Sequence, residues 1–270
     1  MFHRSHILSA AVATAFLCAT AVGDQQLSKE DLAKVVKTDA VTVPTPGEIM
    51  AALNKQATKP NWQTEYRKPI PTTFVPRTQI ALNLGGLIAD GYIAVEAEDT
   101  QQVKNTGRDI LALAKHLSVN QDILARMDSI TEFAEKNEWN TLKEELEETQ
   151  NEVKDALEER KDQDLVILVT IGGWVRGTQV VSSWIADNYT PEAARLIRQP
   201  ALVAYLRSKL NDLSPKTRSD DPSLIKSLDD KLTDIEKLVS FPKDTAPTLD
   251  DVKKLRDAAT ALETEISTKP

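Results

Sequence analysis

The chain has little of the chemistry from which catalytic and metal sites are usually built. Cys18 is its single cysteine, and its three histidines are His3, His6 and His116. The N-terminal segment is predicted to be removed, which leaves one histidine and no cysteine. Such a chain has no disulfide, no thiol nucleophile and no zinc site of cysteines or several histidines. We therefore expect no cofactor and no metal.

The first residues, MFHRSHILSAAVATAFLCATAVGDQQ, have the organisation of a secretory signal peptide. Arg4 supplies a basic start, Ile7 to Val22 form a short apolar run, and small residues precede a cleavage site after Gly23. The run is short for a membrane anchor. A lipoprotein is disfavoured because Leu17 stands where a small residue should precede Cys18. We predict a periplasmic or secreted protein.

The net charge of −8 becomes −9 when the predicted leader, which holds Arg4 and no acid, is removed. An acidic exported chain is a poor partner for nucleic acid or anionic membranes. The most apolar later stretch, LVILVTIGGWV, ends at Arg176 and is typical of a buried core helix rather than a membrane span. The expected partner is an unknown protein or a small ligand.

Proline placement predicts an all-α fold, a multi-helix bundle. Six of the thirteen prolines lie between Pro44 and Pro76, and none lies between Arg77 and Thr190. A stretch without proline that is rich in Ala, Leu, Glu and Lys favours long helices. We predict helices near 78–98, 101–117, 120–137, 139–161, 164–188 and 191–212.

The predicted organisation has a signal peptide at 1–23, a weakly ordered N-terminal segment at 24–76, a bundle core at 77–213 and a C-terminal hairpin at 214–270. Within the N-terminal segment, a capping box predicts a short helix from Pro46, followed by an extended Pro-rich arm whose aromatic residues dock it onto the bundle. The hairpin should follow a polar linker, SPKTRSDDPS. Its two helices have apolar faces made of Leu224, Leu228, Leu232, Ile235 and Val239, and of Val252, Leu255, Ala259, Leu262 and Ile266.

Two apolar segments, NLGGLIADGYIAVEAED and TIGGWVRGTQVVSSWIAD, each contain a glycine pair. An ungapped offset of 87 places Gly85 on Gly172 and Gly86 on Gly173. We interpret this as an internally duplicated helical hairpin. A glycine within a helix costs about 1 kcal/mol relative to alanine, so close helix packing is the expected compensation. Gly173 and Gly177 are four residues apart and should form a groove.

A charge follows each glycine pair by about one turn. Asp90 and Arg176 lie inside apolar segments, so each needs a partner if buried. Parallel helices would bring the two charges together, and antiparallel helices would separate them. A ligand cleft between the glycine-bearing helices is a second possibility, with Tyr92, Trp174 and Trp184 as walls and the two charges as binding groups.

Three segments carry a resemblance: RTQIALNLGGLIADGYIAVEAED, EKNEWNTLKEELEETQNEVKDALEERKDQDLVILVTIGGWVRGTQVVS and LIRQPALVAYLRSKL. Through them the chain, from about Pro44 to Leu213, resembles an uncharacterised family of exported all-helical bacterial proteins. The resemblance implies an exported helical protein and supplies no catalytic residues, because such families have no established activity.

Three functions remain open. The leading hypothesis is a non-enzymatic exported scaffold or interaction protein of unknown partner. The alternative is a binding protein for a small apolar or amphipathic ligand held between the glycine-bearing helices. The third is an enzyme that uses the carboxylates Asp90, Glu96, Glu98 or Asp99, although acids at a helix end are usually exposed.

Overall fold

The computed structural model describes residues 43–56 and 58–268, so the predicted signal peptide and residues 24–42 lie outside the described part. Of the described residues, 78% are helical and none lies in a strand, which confirms the all-α prediction. The helices are α1 Pro46–Asn54, α2 Arg77–Glu96, α3 Thr100–Leu117, α4 Asn120–Glu135, α5 Trp139–Glu159, α6 Gln163–Asp187, α7 Pro191–Ala194, α8 Pro200–Asn211, α9 Pro215–Asp220, α10 Pro222–Leu238 and α11 Leu249–Thr268. Two 3₁₀ turns span Trp62–Glu65 and Arg195–Ile197.

Two predicted features were wrong. The single helix expected over 191–212 is divided into α7, a 3₁₀ turn and α8. Pro200 causes the break because it lacks an N–H and disfavours helical geometry at Gln199. The expected polar linker contains α9, which Ser214 caps by accepting a hydrogen bond from the Thr217 N–H at 3.3 Å.

The turns that connect α2 to α6 share one geometry. Each contains a non-glycine residue in the left-handed region: Glu98, Ser118, Asn137 and Lys161 have φ of 53°, 63°, 59° and 61°. At each turn the next N–H reaches back five residues, as from Asp99 to the Ala94 carbonyl at 3.1 Å. These Schellman turns are short, so α2 to α6 alternate in direction and α2 and α6 run parallel.

Helices α2 and α6 form the centre of the bundle. Their parallel direction is visible in two contacts. Arg77, which begins α2, donates to Asp162 just before α6 at 2.9 Å, and Arg176 contacts Asp90 further along both helices. Helix α11 covers them in the opposite direction. Near its C-terminal end, the Ile266 carbonyl accepts from the Asn83 side chain at 2.8 Å.

The closest approach of α2 and α6 lies at Gly85 and Gly172. A Cβ built on Gly172 would lie 2.7 Å from the carbonyl carbon of Leu82 and 3.0 Å from its Cα. A Cβ on Gly85 would lie 2.7 Å from the Gly173 nitrogen. Glycine is therefore required at this crossing because backbone lies against backbone.

Gly173 and Gly177, the expected groove, contact α1 as well as the crossing. A Cβ added to Gly173 would lie 3.3 Å from the Gly85 carbonyl oxygen and 3.6 Å from Pro46 Cγ, and one added to Gly177 would lie 3.0 Å from Ile49 Cδ1. The capping box that begins α1 is present, since Thr45 and Glu48 each bond the backbone N–H of the other. The N-terminal helix is thus docked into a space that two missing side chains leave.

The Pro-rich arm packs on the bundle as predicted. Trp62 and Phe74 are buried, and the Trp62 indole donates to Asn54 at 3.2 Å. The C-terminal hairpin also packs with its predicted faces inward, because all ten of its predicted apolar residues are buried. Helix α6 is long and apolar enough to cross a membrane by length and composition, but 61% of its most apolar window is buried inside the protein.

Candidate functional site

The ion pair between Asp90 and Arg176 is present at the centre of the bundle. Arg176 is 2% exposed, and its Nε donates to Asp90 Oδ1 at 2.8 Å. Its Nη2 donates to the Glu65 carbonyl, and its Nη1 contacts Gln179 Oε1. A buried guanidinium is costly unless its donors are satisfied, and here each end of the group has a partner.

A second arginine, Arg67 of the arm, reaches the same carboxylate. Its Nε donates to Asp90 Oδ2 at 2.7 Å, and its Nη1 forms an ion pair with Glu263 of α11. Gly86 makes room for it, because an added Cβ there would lie 3.1 Å from Arg67 Nη2. Gly85 therefore allows the close crossing of α2 and α6, and Gly86 leaves space for the Arg67 guanidinium.

We call Arg67, Asp90, Arg176 and Glu263 the charge cluster. It joins the arm, α2, α6 and α11, which are far apart in sequence. Its two cations and two anions balance in formal charge. Arg67 and Glu263 were not among the residues predicted from the sequence. The signal that could have indicated Arg67 is its place between a docking aromatic, Tyr66, and Pro69 in an otherwise polar arm.

Burial governs the electrostatics around the charge cluster. It lowers the pKa of Arg67, against the opposing influence of Asp90. Burial also raises the pKa of Glu65, which Arg176 opposes and Asp187 reinforces. Guanidinium groups remain charged in proteins throughout the physiological range, so the two arginines act in the cluster as hydrogen-bond donors and cations.

The three aromatic side chains proposed as cleft walls lie in different surroundings. Trp174 is buried, and its indole donates to Gln199 at 3.2 Å. Trp184 is buried with an indole N–H that has no partner among the described residues. Tyr92 faces an apolar cavity between α2, α3, α4 and α5. The structure thus brings together the two predicted charges but not the predicted aromatics.

The acids proposed for an enzyme have structural contacts. Glu96 accepts from Asn54 at 2.8 Å and pairs with Lys143 at 2.9 Å. Asp99 caps α3 by accepting from the Gln102 N–H at 2.9 Å. Glu98 is exposed and provides the left-handed residue of its turn. These acids lie at the end of α2, apart from the charge cluster, which uses Asp90 alone.

The acidic face of α5 also has an internal partner. Arg126 of α4 donates to Glu145, Glu148 and Glu152 at 3.1, 2.7 and 2.5 Å, respectively. An arginine of the neighbouring helix therefore meets part of the negative charge that could otherwise attract an external cation. Among the described residues, no three histidine, cysteine or acidic side chains are grouped so as to hold a metal ion.

A cavity of about 260 Å³ opens onto the charge cluster, between the arm and the hairpin of α2 and α3. Arg67 and Asp90 lie in its wall, together with polar side chains of α3. It is a polar concave surface with Asp90 of the buried pair in its wall, and it is lined by charges that the fold holds in place. No protein-family model, curated protein or solved structure matches this chain.

Proposed function

We propose that this protein is an exported, non-enzymatic helical scaffold or interaction protein. The close contact of α2 and α6 carries the proposal. The Leu82 backbone lies against Gly172, so the glycine-bearing helices are in direct contact there, and the groove of about 770 Å³ that Gly85 and Gly173 line is bordered by this contact. The central charges point at one another and satisfy one another, as expected for groups that set helix register.

Export and the site of action follow from the predicted leader. We expect cleavage after Gly23, so that the mature protein begins at Asp24 and acts in the periplasm or outside the cell. Intact-mass measurement on protein recovered from a bacterial envelope fraction tests this. The mass of the whole chain, or of a lipid-modified Cys18, would contradict it.

The interaction role is tested by chemical cross-linking in intact exporting cells, followed by mass spectrometry. We expect reproducible cross-links to the same envelope protein from exposed lysines of the native chain. The matched control is a Gly172→Leu variant, whose crossing cannot close and which should lose those cross-links. Cross-links that are absent in both proteins, or unchanged in the variant, would contradict a role for the folded bundle.

A second candidate function, the binding of a small amphipathic molecule, is favoured by one observation. The apolar cavity beside Tyr92, of about 50 Å³, is also lined by Gly107, Met127 and Gln150. Tyr92 and Gln150 both line it, and the Tyr92 hydroxyl and the Gln150 side-chain oxygen are buried without a partner among the described residues. A molecule with one hydroxyl could accept from the tyrosine and donate to the glutamine.

The cavity size limits this ligand to a short alcohol, and ordered water would fit equally well. Titration with 1-propanol, followed by the Met127 methyl NMR signal, distinguishes the two. A saturable shift that disappears in Tyr92→Phe is expected for a specific site. A shift that grows linearly, and equally in the variant, would show a solvent effect and leave water as the occupant.

A further inference from the structure

The polar cavity beside the charge cluster is lined by charged side chains, some of which have no ion pair within the described part of the chain. Its volume of about 260 Å³ lies just below the range of drug-sized pockets, so it suits a molecule of a few heavy atoms. The arm, α2 and α3 each form one wall. The charged and amide side chains in these walls are Arg67, Lys68, Asp90, Gln102, Asn105, Arg108 and Asp109.

The inner wall is rigid, and its charges are already paired. Arg67 is held by Asp90 at 2.7 Å and by Glu263, and Asp90 is also held by Arg176 at 2.8 Å. These groups have little capacity for a further strong ion pair. They instead fix the shape of the inner wall, so that a ligand would meet a preorganised surface.

Asp109 differs from the inner wall because its carboxylate has no ion-pair partner among the described residues, and only the neighbouring Arg108 offsets its charge. It is partly buried on α3, and its carboxylate makes no hydrogen bond or ion pair with any residue that the structure describes. Burial raises its pKa, opposed only by Arg108. The side chain of Arg108 donates to Asn105 at 2.6 Å. A partly buried carboxylate is less well solvated than an exposed one, which favours a cation that joins it.

The remaining polar groups complement Asp109. The exposed Lys68 on the arm has no ion pair within the described part of the chain. The side-chain oxygen of Asn105 accepts hydrogen bonds from Gln101 and Arg108, so the side-chain N–H₂ of Asn105 is left to donate. The Gln102 amide N–H₂ donates to Thr106 at 3.4 Å, so its oxygen is left to accept.

We propose that this cavity is a binding site for a small zwitterion, a molecule with one ammonium group and one carboxylate, such as an amino acid. The ammonium pairs with Asp109 and donates to the Gln102 oxygen. The carboxylate pairs with Lys68 and accepts from the Asn105 amide. A zwitterion fits better than an ion of one sign because the lining groups without an ion pair, among the described residues, include both signs. The site is independent of the proposed scaffold function.

The test is calorimetric titration of the folded mature protein with glycine, β-alanine and γ-aminobutyrate. Butylamine and butyrate serve as probes that carry only one of the two charges. We expect at least one zwitterion to bind, and Asp109→Asn to weaken that binding about tenfold or more, as loss of a charged hydrogen bond does. Asp155→Asn, at an exposed aspartate on α5, is the matched control and should bind normally.

Folding is monitored in the same variants, because the proposal also predicts their stability. Without ligand, Asp109→Asn should melt at or above the temperature of the unmodified protein, since it removes a partly buried charge that has no ion pair with the described residues. A lower melting temperature would show that the carboxylate has a structural partner and would overturn the premise. Lys68→Ala should weaken zwitterion binding but leave butylamine binding unchanged.

Two binding results would overturn the proposal. The first is the absence of heat from all three zwitterions at millimolar concentration, when the variants and the unmodified protein are equally folded. The second is butylamine or butyrate binding as tightly as the zwitterions, which would show that only one charge is recognised. Loss of envelope cross-links with intact zwitterion binding would separate failure of the scaffold function from failure of this site.

Discussion

Replacing Gly172 by alanine tests the central contact with the smallest possible side chain. The new Cβ would lie 2.7 Å from the carbonyl carbon of Leu82 and 3.0 Å from its Cα, and closer still to its oxygen. Carbon atoms in contact prefer about 3.5–4.0 Å. The obstruction is backbone, which cannot rotate away, so α2 and α6 must separate by roughly 1 Å along their crossing to restore that spacing.

Two opposing effects determine how far Gly172→Ala changes the free energy of unfolding. Alanine is favoured over glycine within a helix by about 1 kcal/mol. Overpacking costs about 1–3 kcal/mol or more, and a gap of this size also removes a substantial part of the neighbouring dispersion contacts. Because the crossing is central, we expect overpacking to win, with a net loss of about 1–2 kcal/mol in the free energy of unfolding.

The assay is urea unfolding followed by circular dichroism, with Gly91→Ala as the matched control on α2. A Cβ at Gly91 would have its nearest neighbours, on Ile110 and Thr106, at 3.9 Å. The control should therefore gain up to about 1 kcal/mol from helix propensity. If Gly172→Ala is as stable as the unmodified protein, or gains stability as the control does, the close backbone contact is refuted.

Further predictions test other parts of the structure. In a double-mutant cycle, Asp90→Asn and Arg176→Met should show a coupling energy of about 0.5–3 kcal/mol; destabilisations that simply add would contradict the pair. Burial alone would raise the pKa of Asp164, but hydrogen bonds from Ser214 and Thr217 outweigh burial and lower that pKa. The stability that Asp164 contributes is therefore present above its unfolded pKa near 3.8 and is lost as pH falls through the lower folded value. Asp164→Asn should thus be less stable than the unmodified protein at neutral pH, and the gap should narrow below about pH 4 in acid unfolding. Lys161→Gly should raise the free energy of unfolding by about 1 kcal/mol because it relieves a left-handed lysine; an unchanged value would argue against that turn.

Local sequence patterns predicted the helices with small errors. The helix expected at 101–117 is observed at Thr100–Leu117, and that expected at 164–188 at Gln163–Asp187. Proline spacing, a capping box and apolar periodicity act within one or two turns, so they can be read from the chain. The same patterns missed the division of the helix at 191–212, where the effect of Pro200 on its predecessor outweighed the apolar periodicity.

The sequence predicted only two of the four residues of the charge cluster. Asp90 and Arg176 were identifiable because a charge within an apolar helix needs a partner. Arg67 and Glu263 were not, because one lies in a polar arm and the other on a helix with many charges. Nor did the sequence distinguish Asp109 from other acids, since what sets it apart is that its carboxylate has no hydrogen bond or ion pair in the described part of the chain.

The sequence alone determined the all-α class, the glycine positions and the apolar face of each C-terminal helix, because these depend on intervals of a few residues. Only the tertiary structure decided that Gly85 and Gly172 meet at the crossing, that Gly86 makes room for Arg67, and that Gly173 and Gly177 receive α1. A missing side chain shows that space is needed but not what fills it. The occupant depends on the parallel arrangement of α2 and α6 and on the return of the arm, which place residues more than eighty positions apart in contact.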